Sequence, residues 1–194
     1  GSTTAWSQRL HWQLTPTGLA SVQLQLHLPD SVMFKPWTWT LEWLPSGWQI
    51  RAQDVHWPLP THWLAGLGSP WNTLEPEGQL RLQSHHWSFQ IAGMSLQTRG
   101  QFTITLERFG TRLSSLKPLG DYQLTVMGAN HAPTVDLKTL QGPLQMVGHG
   151  SWQPGGFRFE GEAWAHEPQD EAVLFNLLGV LGNRVGSRTV LKVG

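Results

Sequence analysis

The sequence contains no cysteine. A disulfide framework, a thiolate nucleophile and a thiolate-bound zinc are therefore all excluded. Charge is also scarce: Asp, Glu, Lys and Arg make up 13% of the residues, about half the usual share. The 13 basic residues balance 13 acidic ones. A protein that grips nucleic acid needs a basic surplus to displace counterions from phosphates, and this chain has none. No run approaches the ~20 apolar residues of a membrane span. Gly1-Ser2 reads as the scar of a cleaved tag and is set aside.

What remains is polar but uncharged. Gln, Thr, Ser, His and Gly take the place of charge, and 12 Trp stand against a single Tyr. The 39% hydrophobic content is too high for disorder. At 194 residues, the chain can bury roughly two thirds of the surface it exposes when unfolded. Residues 3–194 read as one domain, with two similar halves at about 3–110 and 111–194 as a variant of that reading.

Alternation with period two dominates. Val22, Leu24, Leu26 and Leu28 alternate with Gln23, Gln25 and His27; Trp37, Trp39, Leu41 and Trp43 alternate with Thr38, Thr40 and Glu42. Similar runs recur from Leu80 to Phe159. This is the pattern of half-buried strands. Pro45-Ser46-Gly47, Ser84-His85, Ala92-Gly93, Gly110 and Pro154-Gly155-Gly156 read as turns between them. Short links imply antiparallel neighbours. The expected fold is all-β, with about 9–12 strands in a long curved antiparallel sheet or a flattened β-sandwich.

Two segments break the rhythm. Residues 57–77 are apolar and rich in Pro and Gly, and predict a short helical turn near 61–67. After Pro168, Leu174, Leu177, Leu178 and Leu181 recur at helical spacing behind Asp170 and Glu171, predicting an amphipathic helix over about 169–182. Its ~21 Å length suits a sheet cover. Phe157, Phe159, Gly161, Ala163 and Ala165 share one strand face that thins along its length. Leu174, Leu177 and Leu178 are therefore expected to pack over Gly161 and Ala163. On that basis Gly161→Leu should cost about 1–3 kcal/mol through overpacking. A strand from Ser187 to Val193 closes the chain.

Catalytic chemistry finds no support. His166-Glu167 lacks the second His of a zinc-protease helix, since Asp170 stands there and Pro168 interrupts. His85 and His86 are adjacent on a strand and should point to opposite faces, which defeats chelation. Gly148-His149-Gly150 reaches Gln153 where a dinucleotide fingerprint needs Gly. No catalytic residue, metal ligand or cofactor is assigned. Trp37, Trp39 and Trp43 could stack on sugar rings, but alternation with Thr and Glu favours the core. Trp63, Leu64, Leu67, Trp71 and Asn72, in the irregular insert, are the candidate partner-binding residues, although packing of the insert on the sheet competes with that role.

Three blocks carry a family resemblance. They are Trp63 to Leu74 with Gly78-Gln79-Leu80; Leu113 to Tyr122; and Leu137, Thr139, Leu140, Gly142, Leu144, Gly148 and Gly150 leading into Phe159-Glu160-Gly161-Glu162-Ala163, then Ala172 to Gly179 and Gly186-Ser187-Arg188. Over roughly residues 55–194 the chain resembles the general secretion pathway protein N family of the type II secretion system. The resemblance implies a periplasmic β domain of an inner-membrane subunit, held by an anchor helix that these residues do not include. Other secretion subunits of the inner membrane and periplasm are then its partners, without enzymatic activity. Two alternatives compete: an envelope β-groove that binds lipid, and a carbohydrate-binding β-sandwich using same-face Trp.

Overall fold

The computed structural model describes residues 11–27, 36–59, 61, 64, 71–92, 95–129, 132–153 and 155–194. The alternating runs form strands β1 (His11–Gly18), β2 (Ser21–His27), β3 (Trp37–Leu44), β4 (Gly47–Ala52) and β5 (Val55–Leu59). A short helix, α1 (Trp71–Leu74), leads into the two longest strands, β6 (Glu77–Ala92) and β7 (Ser95–Gly110). Then come β8 (Gly120–Ala129), β9 (Thr134–Gln141), β10 (Leu144–Gln153) and β11 (Gly156–Ala165). A 3-10 turn at Pro168–Asp170 starts α2 (Glu171–Leu181), and β12 (Asn183–Val185) and β13 (Arg188–Val193) end the chain.

The thirteen strands among the described residues belong to one antiparallel sheet, in the order β1-β2-β3-β4-β6-β7-β8-β9-β10-β11-β13-β12, with β5 paired to β6. The sheet is not closed into a barrel. The alternative of two packed sheets gives way to a single long one, and the expected strand count of about nine to twelve is exceeded. The three residues of β12 are too few to display any period. The expected turn at Ser84-His85 is also corrected: β6 runs through it, and the polar pair marks an irregularity in register between His85 and Ser88.

That irregularity has a counterpart one strand over, where the β7–β8 register shifts between Leu106 and Phe109. Each holds a non-glycine residue in the left-handed region, His86 at φ 49° and Arg108 at φ 50°. Each exposes a backbone amide that finds an aspartate. Asp54, between β4 and β5, accepts from His86 at 2.6 Å, and Asp121 on β8 accepts from Arg108 at 2.6 Å. Opposite each stands a glycine that no side chain could replace. A Cβ on Gly100 would meet the His85 and His86 carbonyls, and one on Gly78 the Glu107 and Arg108 carbonyls. Bulges of this kind bend a strand and increase its twist.

The bend is visible in the aromatic rings. Three strand steps separate β3 from β7, roughly 14 Å in a flat sheet. The rings of Trp37 on β3 and Phe102 on β7 nevertheless lie with centroids 6.2 Å apart, and Trp37 also meets Trp57 at 5.8 Å. The apolar face is concave.

The core sits at one end of that face. Leu80, Leu106, Tyr122, Leu144, Met146 and Ala163 line the sheet, and Leu74 of α1, Leu119 of the β7–β8 connection and Leu174, Leu177 and Leu178 of α2 cover it. Tyr122 fastens the cover: its hydroxyl lies 2.8 Å from the Leu144 carbonyl and 3.0 Å from that of Leu119. At the other end, β1 is exposed along the length for which side chains are described, residues 12–18.

Candidate partner surface

The expected insert surface is only partly covered by the described residues. Trp63 and Leu67 lie outside them, as does most of the helical turn expected near 61–67. Trp71 and Asn72 form the first two positions of α1. Leu64 is partly buried and packs against the core.

The helix residues are placed fully. Leu174, Leu177 and Leu178 have no exposed surface and share the core with Ala163, while Leu181 packs beside them. At Gly161 the three atoms nearest an added Cβ come from the sheet. A Cβ there would meet the Val147 carbonyl at 2.5 Å, the Gly148 Cα at 3.0 Å and the Phe159 ring at 3.3 Å. Gly148 faces Gly161 across β10 and β11, and the three atoms nearest a Cβ on Gly148 all belong to the Phe159 ring. Phe159 thus fills the space above Gly148, its diagonal neighbour across the strand pair, and the edge of its ring lies beside Gly161.

The tryptophans divide by position. Trp37 packs on Trp39 with centroids 4.8 Å apart, whereas Trp43 meets Trp48 edge-on at 4.6 Å and remains 54% exposed. On the same face the exposed apolar groups lie at the open end of the sheet, at Trp12, Leu14, Trp43, Trp48 and Ile91, and on the far strands at Trp152 and Val193. The polar face carries its charges in cross-strand pairs, with Arg51 on Glu42 at 2.6 Å, Arg81 on Glu107 at 3.0 Å and Lys192 on Glu160 at 3.3 Å. Such exposed pairs contribute at most about 1 kcal/mol each, but they cancel local charge and leave little field to attract an ionic ligand.

His85 and His86 do not diverge as regular strand geometry predicts. The bulge turns both imidazoles to Asp54, at 3.6 and 3.7 Å. Even so, no group of three or more His, Cys, Asp or Glu among the described residues could hold a metal ion. Among the described residues one titratable group is strongly perturbed: burial, reinforced by the Asp121 carboxylate, holds the Tyr122 hydroxyl far above its ordinary value. Its hydrogen bonds into the core make it a structural group.

Two further surfaces stand out among the described residues. The first comprises the strand edges. Among the described residues β1 and β12 end the strand order, and β5 pairs only with β6. The edge at β1 is the longest, carries no charged residue and exposes Trp12 and Leu14; natural edges are usually guarded by charge. The second is the outer face of α2, where Val173, Phe175 and Val180 are exposed. Its signal was legible, since Glu171 and Asn176 are the only polar residues in the helix. No helix among the described residues is long and apolar enough to cross a membrane.

Neither a comparison with curated proteins nor one with solved structures returned a match. A family model does match. The model described as type II secretion system (T2SS), protein N aligns with residues 4–191, a span that runs through the N-terminal strands as well as the three blocks that first suggested it. The chain belongs to the type II secretion system protein N family.

Proposed function

We propose that this chain is a non-enzymatic assembly component of the type II secretion system. In this reading it is the periplasmic part of an inner-membrane-anchored subunit that supports export of folded proteins. The family match over residues 4–191 carries the proposal. An open sheet suits such a role, since unpaired strand edges can accept a strand from a partner. In this reading the insert residues Trp63, Leu64, Leu67, Trp71 and Asn72 form the contact surface to other secretion subunits. A photoreactive amino acid at position 63 or 71, activated in cells, should capture an inner-membrane or periplasmic secretion subunit. Capture of none, by protein that remains folded, would remove the insert as the contact surface.

A second reading is favoured by the exposed Trp12, Leu14, Trp43 and Ile91 on the concave face, which could shelter an acyl chain. Mass spectrometry of gently extracted protein decides it: lipid in stoichiometric amount supports a groove, and its absence leaves assembly alone. Carbohydrate stacking is less favoured, because Trp37 is enclosed by Trp39, Trp57 and Phe102. Oligosaccharides should leave tryptophan fluorescence unchanged.

A further inference from the structure

Helix α2 is apolar on both sides, and only one side is used. Leu174, Leu177 and Leu178 enter the core, while Ala172, Val173, Phe175, Asn176, Gly179 and Val180 are exposed. A helix that is hydrophobic all round is normally buried all round. The open space is real at Gly179, where an added Cβ would meet nothing within 4 Å. Phe175 at the flank is already stacked under the Arg184 guanidinium, 4.8 Å from its ring centre, and Arg184 is paired with Glu171.

From this we infer that the outer face of α2 binds the same face of a second copy of the chain, antiparallel, about a two-fold axis through Asn176. Three observations select a second copy. The face has no charged residue at its centre, so two copies meet without repulsion. Its one polar group is a primary amide, which carries both donors and an acceptor; two amides related by a two-fold axis can exchange hydrogen bonds. A single asparagine in an apolar helix seam is a known means of setting register.

The third observation is the size pattern about Asn176. With that residue on the axis, Ala172 comes level with Val180 of the other copy, and Val173 with its Gly179. Small residues then face larger ones on both sides, as a closely packed helix pair requires. A two-fold interface must be self-complementary in this way. A lipid surface is a poorer fit, since membrane-surface helices carry Lys or Arg on their polar side and α2 has neither.

A single helix pair buries well under the ~800 Å2 per partner of a standard interface. The association is accordingly weak, with a Kd on the order of 100 µM. The inference is independent of the secretion reading and survives its failure.

Analytical ultracentrifugation of the 194-residue chain over a wide concentration range tests it. The expected result is a reversible monomer–dimer equilibrium, weakened at least ~10-fold by Asn176→Asp, which sets two carboxylates on the axis. Gly179→Leu should weaken it similarly by filling the space that receives Val173. Both positions are exposed, so each variant should melt like the parent. The absence of cysteine permits a direct check: Asn176→Cys should form disulfide dimers under mild oxidation far faster than Ser115→Cys, an exposed control. The proposal is overturned if the chain stays monomeric to about 1 mM, tenfold above the expected Kd. A dimer that neither substitution weakens, or equal crosslinking of the two cysteine variants, would overturn it too. Flotation with phosphatidylcholine vesicles that Asn176→Asp abolishes would give the face to lipid instead.

Discussion

The Asp121 carboxylate accepts a hydrogen bond from the backbone amide of Arg108 at 2.6 Å, at a point where Arg108 holds a φ of 50°. An amide at a bulge has lost its place in the strand ladder and must be satisfied some other way. Asp54 does the same for His86 one strand away. These two aspartates fix where the sheet bends, and so decide which apolar residues converge.

Asp121→Ala should therefore cost about 1.5–3 kcal/mol, the range for hydrogen bonds to a charged group. Asp54 is half exposed, with 46% of its side-chain surface open, so Asp54→Ala should cost less. Arg108→Gly should instead gain about 1 kcal/mol, because glycine adopts positive φ without strain. Urea unfolding measures all three. If Arg108→Gly is as harmful as Asp121→Ala, the bulge is not what the aspartate stabilises.

The Phe159 ring decides what the glycines beneath it can tolerate. Gly148→Ala should destabilise the parent, since all three of the nearest atoms belong to that ring. In a Phe159→Ala background the same change should be nearly neutral, giving a coupling of about 1 kcal/mol or more. Gly161→Leu should still cost about 1–3 kcal/mol, but through the β10 backbone, so adding Leu177→Ala should not relieve it. Relief by Leu177→Ala would restore direct helix contact at Gly161.

Tyr122 is the chain's single tyrosine, so tyrosinate absorbance near 295 nm reports it alone. Burial first, and Asp121 second, raise its folded pKa. Unfolded chains ionise tyrosine near pH 10. A raised folded pKa contributes stability that is intact below about pH 10 and declines as pH rises beyond it. The native protein should show no tyrosinate signal at about pH 11, and the signal should appear together with loss of circular dichroism. Ionisation of Tyr122 at an ordinary pH in still-folded protein would contradict its burial.

Stability should be distributed unevenly along the sheet. Leu177→Ala removes a side chain with no exposed surface and should cost about 2–5 kcal/mol. Trp12 is larger but 66% exposed, so Trp12→Ala should change stability by no more than about 0.5 kcal/mol. Thermal melts compare the two. Equal losses would mean that the open end of the sheet is covered in solution.

Much of this is legible in the amino-acid order. Alternation from Val22 to Leu26 and from Trp37 to Trp43 is a local property, because side chains on an extended chain point to opposite faces whatever the fold. The same holds for the leucines of α2, whose spacing places them on one side of a helix, and for the hairpin at Pro45-Ser46, where Leu44 pairs with Gly47. The family blocks were legible because they are long and ordered along the chain.

By itself, then, the amino-acid order determined that the chain makes antiparallel strands with one wet face, that one helix follows them near the C-terminus, and that no thiol chemistry is available. Tertiary structure alone decided that the strands form a single bent sheet, that β6 continues through Ser84-His85 and bulges at His86, and that the Phe159 ring lies over Gly148. It also left one side of α2 open. The reason is that bending, bulge satisfaction and ring placement depend on groups far apart in the chain. Asp54 is thirty-two positions from the His86 amide it satisfies, and no periodicity along the chain encodes such a meeting.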